Sequence, residues 1–150
     1  MRTPEQVRWD FVQQWLDKAQ KDLQAAAILF NHAVGDYDNV GFHAQQAAEK
    51  FLKALLVRCQ VEFPKTHNLA VLRHLVAQVD QTLAEHLVPA EALTPYGVEF
   101  RYPGDVAPLA REQGNQALHL AEQTRQLILA HLQPYLSTGR PDDAESAQAT

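Results

Sequence analysis

A chain of 150 residues with 18 acidic and 13 basic side chains carries a formal charge of −5. That is long enough for one hydrophobic core and has the wrong overall sign for a general nucleic-acid-binding surface. The single cysteine, Cys59, excludes an intrachain disulfide and any multi-cysteine metal site. No apolar run reaches the eighteen or so residues of a membrane span, and MRTPEQVRWD lacks the apolar centre of a signal peptide. The expectation is a soluble cytoplasmic protein without a membrane role.

Glycine is scarce, at 6 residues, while Ala, Leu, Gln and Glu abound, which favours helix throughout. Thr3-Pro4-Glu5-Gln6 reads as a helix opening, with Thr3 as the cap, Pro4 in the first helical position and Gln6 closing a capping box. Trp9, Val12, Leu16, Ala19, Leu23, Ala26 and Phe30 then recur at three and four residues, predicting a first helix to about Ala33. Phe11 and Trp15 thicken its apolar side beyond what one narrow face hides, which predicts an interface and hence a homodimer.

Gly35-Asp36-Tyr37-Asp38 marks a tight turn. The run DNVGFHAQQAAEKFLKALLVRC follows, with Asp38 or Asn39 as N-cap and Ala44, Ala47, Ala48, Phe51, Leu55 and Cys59 on one buried face. So short a link makes this helix antiparallel to the first, and it ends near Val61, before Phe63-Pro64. The small residues Ala44–Ala48 or the last helix are the candidate dimer contacts. Cys59, on the apolar stripe, reads as packing rather than as a nucleophile.

Thr66 or Asn68 starts a third helix, whose buried side runs from Leu69 to Leu83. EALTPYGVEF, between Pro89 and the break at Arg101–Asp105, predicts a short helix. Asp105 is then the N-cap of a last helix, with Pro108 in its first turn, running to about Tyr135 with Pro134 as its end. STGRPDDAESAQAT has no aliphatic residue larger than alanine and is predicted to be disordered. The fold class is therefore all-α: an up-and-down four-helix-type bundle with an additional short helix over residues 1–136, and a tail over 137–150.

The segment HAQQAAEKFLKALL closely resembles the central helix of HEPN domains, and three further segments fit the same family in the same order. They are WLDKAQKDLQAA at Trp15–Ala26, THNL at Thr66–Leu69 and TPYGVEFRYPGD at Thr94–Asp105. The resemblance implies a dimeric helical bundle. It looks like a branch of small proteins usually paired with a minimal nucleotidyltransferase in arrangements of the toxin–antitoxin kind, for which nucleotide binding has been proposed. In such a pair the partner carries the catalytic carboxylates and metal, and this chain docks it or helps to hold substrate. Many other members are ribonucleases that use a histidine about four to six positions after an arginine, near the start of the last helix. Here YPGDVAP follows Arg101 and no histidine occurs until His119, so neither a catalytic residue nor RNA as substrate is expected. Arg125 and His131 satisfy the spacing, but late in the last helix, and read as a chance match.

The candidate nucleotide- or anion-binding residues are His43, Gln46, Lys50, Lys53, His67, Tyr96, Arg101, Tyr102 and Asp105, with ATP or another nucleotide as ligand. His43, Gln46 and Lys50 share one strip of the central helix, where lysines can neutralise phosphate and an amide can bond a base. The competing reading is a solvated face of ordinary surface pairs. Arg101 beside a helix start offers a charged fork and free amides, against the alternative of a local pair with Asp105 or Glu99. His67, beside Thr66 at a helix start, reads as a capping or core residue before a ligand contact. The seven histidines form no metal-ligand spacing such as HExxH, and there is no phosphate-binding GxxxxGK[ST] loop.

Overall fold

The computed structural model describes residues 1–97 and 107–142. Five α-helices follow in order: α1 (Pro4–His32), α2 (Asp38–Arg58), α3 (Leu69–Ala77), α4 (Gln81–His86) and α5 (Arg111–Thr138), with a 3-10 helix, Val88–Gly97, between the last two. No strand occurs among the described residues. The helix α2 is the hub, packing against α1, α3, α5 and the 3-10 helix. Its Phe51, Leu52, Leu55 and Leu56 are essentially inaccessible and form the centre of the core with Leu72, Leu93, Ile128 and Leu132.

The start of α1 forms as the sequence predicts. Thr3 Oγ1 accepts from the Gln6 amide at 3.1 Å, and Gln6 Oε1 accepts from the Thr3 amide at 2.9 Å. Val12, Leu16, Ala19, Leu23 and Ala26 then form its buried stripe. Trp9 and Trp15 are each partly buried and pack within the chain on Tyr135 (ring centroids 5.1 Å apart) and Phe63 (6.3 Å) respectively. Only Phe11 of the three is exposed.

Asp38 does not cap α2. It is the first helical residue, and its carboxylate instead accepts from the Leu109 amide at 2.9 Å, tying the approach to α5 onto the start of α2. Helix α2 ends at Arg58, where Gln60 takes a left-handed conformation at φ 59°. Ala44, Ala47 and Ala48 have no exposed surface, so they let neighbouring helices come close and cannot form a dimer contact.

The expected third helix is two. Asp80 Oδ1 accepts from the Leu83 amide at 3.0 Å, an N-cap that starts α4 afresh after the turn that ends α3. Asn68, one of the two predicted caps, holds the first turn of α3 by accepting from Ala70 and Val71. The stretch around Pro89 and Pro95 is 3-10 rather than α-helix.

Helix α5 begins at Arg111, later than the predicted start at Asp105. Leu109 precedes it and is buried, and a Cβ added at Gly41 would lie 2.7 Å from its Cδ1. The helix continues past Pro134 to Thr138, because its last turn recruits side chains: Ser137 Oγ donates to the Pro134 carbonyl and Thr138 Oγ1 to that of Tyr135. Beyond it, Gln6 Nε2 donates to the Pro141 carbonyl at 3.0 Å, and Arg140 and Arg2 converge on Asp10. Those two guanidiniums hold the Asp10 carboxyl down at about 2, Arg140 having the larger effect.

Candidate polar seam along helix α2

At 100° per residue, His43, Lys50, Gln46, Lys53, Glu49 and Gln45 fan out over an arc of about 160° of α2. One edge of this arc meets α1. There Asp22 accepts from His43 Nδ1 at 2.9 Å on one carboxylate oxygen and from Lys50 Nζ on the other. The other edge meets the chain leading into α3. There Glu49 accepts from His67 Nδ1 at 2.7 Å on Oε1 and from Lys53 Nζ at 3.1 Å on Oε2. Each edge thus repeats one unit, a carboxylate shared between an imidazole and an ammonium.

The two units differ in exposure. Lys53 and Glu49 retain 9% and 3% of their side-chain surface, whereas Lys50 and Asp22 retain 20% and 14%. Lys53 also lies under the Trp15 and Phe63 rings, 5.4 and 5.7 Å from their centroids, where the negative ring faces favour its charge. It is therefore not part of a surface strip, because burial beside a carboxylate and two rings holds it inside. His67 is tied to Glu49 but itself two-thirds exposed.

Between the units runs an amide relay. Gln46 Nε2 donates to Gln45 Oε1 at 2.7 Å, and Gln45 Nε2 donates to the His67 carbonyl at 2.8 Å. Gln45 is fully buried and lies directly under Gly97, where an added Cβ would approach its amide to within 2.7–2.9 Å. Tyr96 lies beside Gly41, with ring atoms 3.2 Å from where a Cβ would stand. The end of the 3-10 helix is thereby pressed onto the first half of α2, next to the seam.

Of the sequence candidates, His43, Gln46, Lys50, Lys53, His67 and Tyr96 all border α2, while Arg101, Tyr102 and Asp105 lie outside the described residues. Composition and spacing missed Asp22 and Gln45, an acceptor and the relay that fix the others, and read Glu49 only as a surface partner of the lysines, whereas it is buried. The signal available was the pairing of Asp22 with the helix bearing His43 and Lys50, which becomes visible once the α1–α2 hairpin is drawn antiparallel. Because each imidazole commits Nδ1 to a carboxylate, that nitrogen carries the proton, and Nε2 has no partner among the described residues.

Arg125 and His131 make separate contacts within the chain. Arg125 turns toward Gln20 and Glu122, and His131 toward Asp80 at 3.5 Å. No group of three or more metal-ligating side chains occurs among the described residues. Burial pushes the Cys59 thiol up, opposite to the shift that makes a nucleophile.

The architecture has solved counterparts. TT1696 from Thermus thermophilus is 31% identical, with 78% of this chain and 94% of that one covered at a TM-score of 0.62. ST0689, an archaeal HEPN homologue, is 23% identical and shares the fold over 81% of this chain and 97% of that one at a TM-score of 0.63. No curated protein matches. The HEPN domain model matches residues 12–131, which spans α1 to α5 and takes in the whole α2 seam; the chain belongs to the HEPN domain family.

Proposed function

We propose that the chain is a nucleotide-binding or adaptor subunit that acts with a minimal nucleotidyltransferase, in an arrangement of the toxin–antitoxin kind. The observation that carries this reading is the α2 seam. It gathers two anchored imidazoles and a partly exposed glutamine next to the 3-10 helix, close to where the sequence resumes toward Arg101. Such groups bind and orient. With Nδ1 fixed, each Nε2 meets a ligand or a partner surface in a set direction, and Gln46 keeps an amide oxygen for a base or ribose. Catalytic carboxylates and metal belong, in this reading, to the partner. The ribonuclease alternative lacks its histidine after Arg101, and the Arg125–His131 spacing leads to two separate sets of contacts.

The test is a thermal-shift panel of ATP, GTP, other nucleotides and short RNA on wild type, Gln46→Ala and Arg101→Ala, with a co-purification arm using a minimal nucleotidyltransferase. A nucleotide at a hundred times its dissociation constant adds about 2.7 kcal/mol, or about 5–10 °C in a chain of this size. A nucleotide-specific rise lost in both variants supports binding at the seam. A flat panel with a stable complex supports the adaptor role alone, and the absence of both responses refutes the reading. Cleavage of the RNA that Arg101→Ala abolishes would install the ribonuclease instead.

A further inference from the structure

Arg8, Phe11, Trp15, Lys18 and Asp22 follow one another at three and four residues, so they share a strip of α1 about 80° wide. The strip ends at Asp22, which His43 and Lys50 already hold. Its first half lies beside the end of α2 and the loop that follows, where Trp15 meets the Phe63 ring and Lys53 sits under both. Arg8 and Arg58 both stand near Tyr135, with Arg58 over its ring at 4.2 Å. Among the described residues, Arg8, Lys18, Arg58 and Lys65 have no carboxylate at ion-pair distance. The other lysines and arginines there are paired, apart from Arg111, which lies over Phe30. Glu5 and Glu62 are the acids nearby without an ion pair, so a net positive patch stands on a chain of −5. Phe11, half of its surface exposed, lies within it.

We propose that this patch docks a short acidic segment of a partner protein, with an aliphatic side chain of that segment seated against Phe11. Charge selects the occupant. Lys18 and Lys65 are exposed and unpaired, so each meets a carboxylate without first giving up a partner, as Lys50 would have to. An exposed ring bordered by cations is the composition of a protein-binding surface, in which aromatic residues and arginine are enriched. Two observations favour a peptide over a nucleic acid. Base stacking needs successive free ring faces, but Trp15 and Phe63 are turned to each other and to Lys53, and Phe11 is the one exposed ring of the three. Four cations on a chain of negative charge also supply few phosphate contacts. Arg8 to Lys18 spans about 15 Å, the length of about five extended residues. The fitting segment therefore carries acids at its two ends and an aliphatic residue between them.

Fluorescence anisotropy of a short labelled peptide, acidic at both ends with a central leucine, tests this on the full chain and independently of any nucleotide. The peptide should bind saturably, and more weakly as salt rises. Lys18→Glu with Lys65→Glu should weaken it at least tenfold and Phe11→Ser severalfold, with the helical spectrum and melting cooperativity of wild type, because all three side chains are exposed. Lys21→Glu, outside the strip and paired with Asp17, should leave binding unchanged. Replacing the peptide's leucine by serine should weaken binding to wild type but not to Phe11→Ser, which places the leucine on that ring. No saturable binding, or a loss in Lys21→Glu equal to that in the double variant, would overturn the proposal. So would a single-stranded RNA that displaces the label at lower concentration than the unlabelled peptide does, since the patch would then take nucleic acid.

Discussion

Removing the Glu49 side chain is the sharpest test of how the seam is held. In Glu49→Ala, Lys53 stays inside with 9% of its side chain exposed, its carboxylate gone and only the Trp15 and Phe63 rings to offset its charge. His67 loses its acceptor as well. Leaving one member of a buried pair unmatched costs about 3–5 kcal/mol, which in a domain of this size lowers the melting temperature by about 6–20 °C. Removing both charges is a different perturbation. Glu49→Leu with Lys53→Met fills the same space with apolar groups, and such replacements are often near neutral, so the double variant should be more stable than Glu49→Ala and than Lys53→Met, which strands Glu49 in turn. Urea unfolding of wild type, the single variants Glu49→Leu, Glu49→Ala and Lys53→Met, and the double gives the coupling energy directly, provided the urea dependence stays constant. Singles that each lose under 1 kcal/mol and add without coupling would refute a buried, mutually dependent pair and return Lys53 to the surface.

Three further outcomes follow from the packing. Gly114→Ala should destabilise by about 1–3 kcal/mol in thermal unfolding despite alanine's better helix propensity, because its Cβ would stand 2.9 Å from Cβ of buried Tyr37. Asp10 is depressed to about 2 in the folded chain by Arg140 and Arg2, so its contribution is fully present above the ordinary aspartate value near 4 and is lost as pH falls toward 2. The melting-temperature gap between wild type and Asp10→Asn should therefore close between about pH 4 and 2, and a gap independent of pH would contradict the clamp. The Cys59 thiol, raised by burial, should react with iodoacetamide more slowly in the native chain than in urea at the same pH.

What could be read from residues alone was the part fixed by period and by local capping. The Thr3–Gln6 box, the α1 stripe and the α2 core face are decided by neighbours within four positions, and they form as expected. Boundaries shifted where a polar side chain had two possible uses. Asp38 offered a cap and instead reached across to Leu109, and Asp80, inside the span expected to be one helix, begins a new one. Pro134 looked like a stop, but the hydroxyls of Ser137 and Thr138 support the turn beyond it. The seam was half legible for the same reason. His43, Gln46 and Lys50 share a strip by arithmetic, but the fates of His43 and Lys50 depend on Asp22, 21 and 28 residues away in sequence, and no period within α2 reveals it.

Charge accounting along the seam narrows what can bind there. Asp22 and Glu49 supply two negative charges and Lys50 and Lys53 two positive ones, so carboxylates and ammoniums balance. A phosphate arriving at the seam would have to draw Lys50 away from Asp22 and could not reach Lys53 at all without expelling it from beneath Trp15 and Phe63. Phosphate recognition by the two lysines, the simplest reading of the sequence, is thus opposed by their own partners. The groups left over, Gln46 and the outer nitrogens of His43 and His67, suit hydrogen bonds to a base, a ribose or a partner's backbone. If a nucleotide binds this protein, its phosphates require a cation from elsewhere, and Arg101 is the candidate nearest in sequence to the seam's covering helix. Arg101→Ala should then weaken a triphosphate far more than the corresponding nucleoside, whereas Gln46→Ala should weaken both alike. Isothermal titration of the two ligands against the two variants decides it, and an Arg101→Ala loss equal for nucleoside and triphosphate would break the division of labour.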